Sequence, residues 1–579
     1  MNILTGVNAR KDDPIAALID GVFVTRPLVD DTRSDTSFKL AKYWLETCLE
    51  KHKSKCKIKD SPLPTRVLDV GQLGDHSVSL HISNGEVGKW FTLSHCWGKH
   101  QPAKTTMGNL MDRCSGISLS SLPQTFRDAV LITRKLCYRY LWIDSLCIIQ
   151  DSVSDWLVES VKMNEVYSHG VLNISADAAT DSREGIFDSA KKRILDGPGP
   201  FAGWVMKPDQ LEIPVHSPKT GITSFLYAYV YVGDVQPDTA SHLQTRAWVF
   251  QEAALSPRRL RYTYHGMFWT CTSAHMDCNE KQPQEIHNFH WQESYVFSIY
   301  DIPHQPLPPR YVRGQEPARG FLAVDWWYKE VNNYANRDLT YFNDRFPAFS
   351  GIAKEFGERT GYHYKAGIWL EDFRRGLLWQ SRDRIIHPEV GPSWSWATVS
   401  GGADPNGVYD TNLLSEYLDN EEEAELLDVT IENMDNNPYG QVISASITLR
   451  GLCHKLNSLW EAHTFHYQNG QHILYDKDYL PFQIDKQPPP TSIAVSVDIM
   501  DHSKKLFWQQ ENIILMKIAK FGKMQHSSSW VFQPDKSERC LILEQLLGTQ
   551  NTYRRIGVLG IPGDGIGCEG WEMKTATII

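Results

Sequence analysis

The feature that most constrains the fold is an alternation of apolar runs and amphipathic stretches between residues 90 and 176. The runs have the length of buried strands, and the stretches between them repeat apolar residues at helical spacing. In chain order the segments are Trp90–Ser94, 122–137, Tyr140–Asp144, 155–167 and Val171–Ala176. Strand, helix, strand, helix, strand at this spacing predicts an α/β domain with a Rossmann-like parallel sheet.

The chain is too long for that domain alone. Its 579 residues exceed the roughly 250–300 residues at which a single core stops growing. A Pro-rich stretch at 303–318 has the composition of a linker, the segment after it has helical patterning, and alternating segments follow Val442. We therefore predict four parts: a helical and irregular segment at 1–84, the α/β domain at 85–300, a helical extension at 301–400, and a mixed, β-rich domain at 401–579.

Composition excludes several function classes. The net charge is −10 and basic tracts are missing, so nucleic acid is not an expected partner. No apolar run approaches the roughly 20 residues that span a bilayer, and the N-terminus lacks the apolar region of a secretory signal. The 11 cysteines are scattered, mostly within apolar runs, which is typical of reduced thiols. We expect a cytoplasmic protein.

Two groups of residues have spacing that resembles metal ligands: Cys48, His52 and Cys56, and Cys271, His275 and Cys278. The residues of the first group lie four apart, on one face if the helix persists as far as Cys56, but the group lacks a clear fourth ligand. The second lacks a matching second pair. The prediction for both is packing, with no metal and no bound cofactor.

Candidate site residues follow the predicted parallel strands, because ligands bind beyond the carboxyl ends of such strands. Ser94 to Gly98 follow the first strand, and Asp144 ends the second. Trp97 can stack on a ring, and Gly98 allows a tight turn. Ser94 and His95 are adjacent in a strand, so their side chains point to opposite faces and cannot form a nucleophile–base pair.

Glu159 is a further candidate, because it projects onto the apolar stripe of its helix near Trp156. A carboxylate in such a place is either paired or functional. The two hypotheses are a buried ion pair, with Arg246 or Arg139, and an acid or base with a shifted pKa. Cys96 and Cys147 also follow strands, and we interpret both as buried thiols. The chain has no G-x-G-x-x-G and no G-x-x-x-x-G-K-[ST] motif.

Several blocks resemble the motifs of the fungal heterokaryon-incompatibility (HET) domain. In chain order they are Phe91–Gly98, Leu122–Ala129, Tyr140–Asp151, the set Asp155, Trp156, Glu159, Met163 and Tyr167, Arg246–Glu252, and Leu255–Arg258. Segments similar to those common after HET domains follow at Leu339–Arg345 and Gly391–Trp396. The likeness covers about residues 40–400.

The resemblance implies a role in fungal non-self recognition, in which the domain triggers growth arrest or cell death. The HET domain is also similar to TIR domains, some of which cleave NAD through a Glu on a helix. By this likeness Glu159, Asp144 and Ser94 are the catalytic candidates. The substrate-binding candidates are His95, Trp97, Gly98, Trp156, Arg246, Trp248, Gln251 and Glu252.

Three hypotheses stay open at this point. The first is a TIR-like enzyme with NAD as substrate, in which Glu159 acts on the ribose or its oxocarbenium-like transition state. The second is a non-enzymatic death-signalling or recognition module, in which Arg246 to Glu252 are packing residues. The third is a HET-like scaffold that carries out another small-molecule reaction in specialised metabolism. A protein partner in incompatibility and a homo-oligomer are also expected.

Overall fold

The structure is a computed structural model. The described residues are 31–52, 56, 58, 60–98, 103–187, 241–263, 266–277, 298–302, 304, 319–380, 385–400, 408–409, 424–434, 437–455, 512–526, 530–561 and 570–579, with further strands at 3–10, 24–25, 211–216, 223–232, 284–285, 417–418, 463–468, 471–476 and 493–497. The chain forms two compact units, Met1–Tyr300 and Asp301–Ile579. Each is described by itself.

The first unit contains a large sheet with helices packed on it. Its helices are α1 (Asp35–Lys51), α2 (Leu110–Ser115), α3 (Gln124–Lys135), α4 (Asp144–Cys147), α5 (Val153–His169) and α6 (Ala247–Leu255). Its strands are β1 (Ile3–Arg10), β2 (Val24–Thr25), β3 (Ser61–Pro62), β4 (Arg66–Asp69), β5 (Ser77–Ile82), β6 (Val87–Gly88), β7 (Trp90–Ser94), β8 (Ile117–Ser118), β9 (Tyr140–Trp142), β10 (Leu172–Ser175), β11 (Leu211–His216), β12 (Thr223–Val232), β13 (Arg258–Thr263), β14 (Gly266–Cys271), β15 (Ala274–Asp277) and β16 (Gln284–Glu285).

The central sheet has ten strands in the order β16-β15-β14-β13-β10-β7-β9-β4-β5-β8. Only the middle is parallel: β13 with β10, β10 with β7, and β7 with β9. On both flanks the pairs are antiparallel, as in β13 with β14 and β9 with β4. The α/β prediction is therefore confirmed, but the sheet is mixed rather than parallel. Hairpins join β4 to β5, β13 to β14 and β14 to β15, and hairpin neighbours are antiparallel by necessity.

The parallel strands are buried on both faces, because helices cover the sheet. All five residues of β7 and all four of β10 are buried. Helix α3 places Phe126, Ala129 and Val130 in the core, and α5 begins where the Ser152 hydroxyl accepts the Asp155 N–H. Helix α6 packs against α5. The carboxyl ends of β7, β9 and β10 therefore meet at one edge of the sheet.

The second unit combines aromatic-rich helices with a β-rich part. Its helices are α7 (Arg319–Ala335), α8 (Pro347–Thr360) and α9 (Phe373–Gly376). Trp327 packs against Phe356 and Trp369. Its strands are β17 (Tyr364–Lys365), β18 (Ile368–Trp369), β19 (Ile385–Ile386), β20 (Val399–Ser400), β21 (Tyr417–Leu418), β22 (Glu425–Asn433), β23 (Val442–Lys455), β24 (His463–Gln468), β25 (Gln471–Asp476), β26 (Ile493–Val497), β27 (Ile513–His526), β28 (Trp530–Gln545), β29 (Thr552–Ile561) and β30 (Glu572–Ile578).

Strands β21 to β30 form one sheet. Its main order is β21-β27-β23-β30-β29-β26-β25-β24, with β22 paired to β23, and β28 paired to β27 and β29. The predicted helical middle region and β-rich C-terminal part are both confirmed. The predicted linker at 303–318 lies outside the described residues except for residue 304. None of the helices in the described part of the chain has the length and hydropathy needed to cross a bilayer.

Candidate functional site

Ser94 lies at the carboxyl end of the central strand β7 and belongs to a buried hydrogen-bonded network. Its hydroxyl donates to the Glu252 carboxylate. The side-chain amide of Asn173, on the neighbouring strand β10, donates to the hydroxyl oxygens of Ser94 at 2.9 Å and Thr92 at 3.0 Å. The network therefore connects the ends of two parallel strands with helix α6, which carries Glu252.

Glu252 is a buried carboxyl group whose proton affinity is shifted. Burial raises the pKa of Glu252 to about 7, and the nearby charge of Asp144 acts in the same direction. Hydrogen bonds from Ser94 and Tyr167 and the charge of Arg246 act in the opposite direction but do not cancel the burial. A carboxyl group with this pKa is present both protonated and ionised near neutral pH. It can accept or donate a proton there.

Tyr167 completes the network from helix α5. It is buried and hydrogen-bonded to Glu252, and burial raises the pKa of its hydroxyl well above the usual value. The ring packs edge-to-face on Trp142 at 5.7 Å between centroids. Tyr167 therefore stays protonated and acts as a fixed hydrogen-bond donor to the carboxylate.

His95, Asp144 and Trp97 form a second group beside the network. The Trp97 indole N–H donates to Asp144 Oδ2 at 2.8 Å. His95 Nδ1 lies 3.8 Å from Asp144 Oδ1, and the His95 ring meets Phe126 edge-to-face. His95 and Ser94 thus have separate partners, as expected for adjacent residues in a strand. The Asp144 side chain is 25% exposed, so this group extends from the core toward solvent.

His95 is a neutral ring held inside the protein. Burial lowers the pKa of His95 to about 4, and the positive charge of Arg246 adds to this effect, whereas Asp144 opposes it. Its Nε2 atom is buried and has no hydrogen-bond partner. Arg246 donates a hydrogen bond to the His95 carbonyl oxygen at 2.8 Å. Together these residues place two carboxyl groups, one guanidinium and one neutral imidazole at the carboxyl ends of the strands.

Glu159 lies in a different environment from this cluster. Its carboxylate accepts a hydrogen bond from the Thr65 hydroxyl at 2.7 Å and lies 3.4 Å from the Lys162 ammonium. The ion pair is therefore made with Lys162, not with Arg246 or Arg139. Arg139 pairs instead with Asp69 at 2.7 Å. The described contacts of Glu159 include no residue of the cluster around Glu252.

The other predicted site residues have different placements. Gly98 has φ 71°, and a Cβ atom there would collide with Asp181, so only glycine fits. Helix α6 carries Trp248, which is partly exposed, and Gln251, which is buried. Trp156 is partly exposed on α5, and no described contact joins it to Ser94. The structure therefore brings together Ser94, His95, Trp97, Asp144, Arg246 and Glu252.

Sequence reasoning did not identify Tyr167 and Asn173 as site residues. Asn173 had a visible signal, since it is a polar residue between Leu172 and Ile174 in a predicted buried strand and had to find partners there. Tyr167 lay on the same helix as Glu159, but periodicity alone does not show which helix the face meets. The two cysteines near the strand ends are not nucleophiles, because burial raises the pKa of Cys96 to about 11 and that of Cys147 to about 12.

Comparison with known proteins agrees with the sequence motifs. Residues 90–252 match the model of the family described as heterokaryon incompatibility protein (HET). No curated protein and no solved structure matches the chain. The matched range begins at β7 and ends at Glu252, so it spans the whole cluster described above. The chain therefore contains a heterokaryon incompatibility (HET) domain, and the candidate site lies within it.

Proposed function

We propose that the chain is a cytoplasmic fungal incompatibility protein, acting in non-self recognition and cell death, whose HET domain cleaves the N-glycosidic bond of NAD. The observation that carries the proposal is Glu252. It is a buried carboxyl group with a pKa of about 7, hydrogen-bonded to Ser94 at the carboxyl end of the central parallel strand. Carboxyl groups with shifted pKa values at such strand ends are typical of active sites.

The two carboxyl groups have environments suited to different roles. Asp144 is partly exposed and can face the sugar, where an ionised carboxylate stabilises an oxocarbenium-like transition state. Glu252 is deeper and can accept a proton from the attacking water. The bond between C1′ of the ribose and the nicotinamide nitrogen breaks, and its electron pair stays on that nitrogen. Water oxygen then bonds to C1′, and its proton passes to Glu252.

The mouth of the site is formed by partly exposed side chains. Trp97, Asp144 and Arg246 are partly accessible to solvent, whereas Ser94 and Glu252 are buried. The Trp97 ring can stack on a flat ring of the dinucleotide. Arg246 can bind a phosphate oxygen, for which guanidinium is well suited. Substrate would therefore enter over Trp97 and reach Glu252 only at its reacting end.

The arrangement of the strands supports a likeness to Rossmann-like, TIR-like domains. From β7 the chain passes through α3 to β9 on one side, and then through α5 to β10 on the other side of β7. The carboxyl end of β7 is therefore where strand order reverses, the usual place for a ligand in an open sheet. In this proposal Glu252 from α6 replaces Glu159 as the principal carboxylate.

The test is nicotinamide release from NAD by the purified full-length protein. We expect turnover in the wild type and in Glu159→Gln, and a loss of at least about 100-fold in Glu252→Gln. Circular dichroism must show that the three proteins are equally folded. Turnover that survives Glu252→Gln but disappears in Glu159→Gln would contradict the assignment and restore the sequence-based candidate.

A second candidate function is a non-enzymatic recognition module. The observation that favours it is the mutual hydrogen bonding of Ser94, Asn173, Tyr167 and Glu252, all of them buried. Such a network can also hold a fold together. The two functions separate on expression in a fungal host. Cell death that persists in Glu252→Gln, with no NAD consumption by the wild type, would support recognition alone.

A further inference from the structure

Four residues far apart in the sequence bring soft ligand atoms together at the edge of the central sheet. They are Cys48, His52, Cys56 and Cys271, and their sulfur and ring-nitrogen atoms all lie within 4.8 Å of one another. The three cysteines are buried and His52 is half-buried. The sequence predicted that Cys48, His52 and Cys56 lie close together if the helix persists. It did not predict Cys271, which comes from more than two hundred residues later in the chain.

The backbone explains how the four residues meet. Cys48 lies in the last turn of α1, His52 caps that helix, and the Cys56 N–H donates to the His52 carbonyl oxygen at 2.8 Å. Cys48 and His52 are one helical turn apart and share a face of α1, and Cys56 lies beyond the end of that helix. Cys271 is the last residue of β14. Trp44 of α1 packs on Trp269 of the same strand, which fixes helix and strand against each other.

The separations fit a tetrahedral ion. Sulfur atoms about 2.3 Å from a central zinc ion lie about 3.8 Å apart at the corners of a tetrahedron. The outer limit of 4.8 Å is met by all pairs, and Cys271 Sγ is 3.5 Å from His52 Nδ1. Small side-chain rotations bring such a set to coordination distance. Three cysteines and one histidine form one of the usual ligand sets of structural zinc.

Neighbouring groups are placed to support metal-bound thiolates. The Thr272 hydroxyl lies 2.8 Å from Cys56 Sγ, and the Ser273 hydroxyl 3.6 Å from the same sulfur. Arg258 is fully buried beside them and binds the Cys56 carbonyl oxygen. Three thiolates and one divalent ion have a net charge of −1, which the guanidinium balances. Hydrogen bonds and opposite charge around the ligands are typical of protein metal sites.

We propose that Cys48, His52, Cys56 and Cys271 bind one structural zinc ion. The four protein ligands fill a tetrahedral coordination sphere, which leaves no position for substrate and excludes a catalytic role. The ion joins α1 to β14, and these elements lie before and after the family match at residues 90–252. The site therefore fastens the segments on either side of the HET domain to each other.

The experiment is the metal content of the full-length protein, purified under reducing conditions and measured by inductively coupled plasma mass spectrometry. We expect about one zinc ion per chain in the wild type, and less than roughly a tenth of that in Cys48→Ser and Cys271→Ser. Cys147→Ser is the matched control, because Cys147 is equally buried in the same unit but outside the cluster. It should retain the zinc.

A second measurement does not depend on the variants being folded. Wild-type protein loaded with Co²⁺ should show the absorption of tetrahedral cobalt with thiolate charge-transfer bands, and Zn²⁺ should abolish both. A folded, reduced wild type that takes up neither ion overturns the proposal. So does a disulfide between two of the three cysteines in the native protein, or a clear preference for iron over zinc.

Discussion

The central sheet has a carboxyl-end edge and an amino-end edge, where its parallel strands end and begin. The two edges differ in whether their buried polar side chains find partners. At the carboxyl ends of the parallel strands, Glu252 has a raised pKa, and His95 has a buried nitrogen without a partner. At the amino-end edge, where Arg258 begins β13 opposite Cys271, the Cys–His cluster brings four ligand atoms together. Buried groups with shifted pKa values or without hydrogen-bond partners are typical of reactive sites. A complete set of metal ligands is typical of a structural site. From this contrast we propose chemistry at the first edge and stability at the second.

The largest expected effect on stability concerns the amino-end edge. Removing zinc with a strong chelator, or substituting Cys271→Ser, should lower the free energy of unfolding by several kcal/mol, since metal-binding energy is also folding energy. Thermal unfolding with and without chelator measures it. Cys147→Ser, which retains the zinc, should lose as much thermal stability on chelation as the wild type, whereas Cys271→Ser should unfold at the same temperature with and without chelator. Equal sensitivity of the two variants to chelator would remove the distinction between the edges.

A buried ion pair near the carboxyl ends of the parallel strands tests whether the carboxyl-end edge also contains purely structural charges. Arg261 Nε donates to Asp177 Oδ2 at 2.7 Å, and both side chains are buried. Asp177→Ala removes the carboxylate from a buried ion pair, so we expect a loss of roughly 3–5 kcal/mol in the free energy of unfolding. Urea denaturation measures this loss. A loss below about 1 kcal/mol would show that the pair has another partner or that water replaces it.

The pH dependence of stability should separate Glu252 from His95. The pKa of Glu252 is raised to about 7, so its contribution to stability is complete below its unfolded value near 4.5 and decreases as pH rises through 7. The pKa of His95 is lowered to about 4, so its contribution increases as pH rises toward 6.5. The two trends oppose each other in the wild type.

Glu252→Gln removes the first trend. The free energy of unfolding of the variant, relative to that of the wild type, should therefore increase by on the order of 3 kcal/mol between pH 4 and pH 8. Urea denaturation at a series of pH values measures this. A difference that does not change with pH would show that Glu252 is ionised at all these pH values or that solvent reaches it.

The smallest expected effect concerns Glu159. Its partner Lys162 is about half exposed whereas Glu159 itself is buried, so solvent screens the ammonium and the pair contributes on the order of 1 kcal/mol. Lys162→Met should therefore change the free energy of unfolding by about 1 kcal/mol or less and leave NAD cleavage unchanged. The Thr65 hydroxyl continues to hold the carboxylate in this variant. A large loss of cleavage would move the catalytic assignment back to Glu159.

The apolar periodicity of the sequence predicted the helices and strands better than the contacts between them. The α3 and α5 helices and the β7, β9 and β10 strands lie within a few residues of their predicted bounds, because apolar periodicity records which side of an element is buried. The same periodicity does not record the partner. It could not pair Glu159 with Lys162, bring Tyr167 to Glu252, or supply Cys271 as a fourth ligand. The antiparallel pairing of β4 with β9 was missed for the same reason.

The most direct test of the contrast between the edges combines two readouts on one variant. Nicotinamide release from NAD and the free energy of unfolding are measured at pH 8 for wild type and Glu252→Gln. We predict a loss of at least about 100-fold in release, with stability equal to or above that of the wild type. Release that is retained, or that decreases only in proportion to the folded fraction, would contradict a catalytic role for the carboxyl-end cluster.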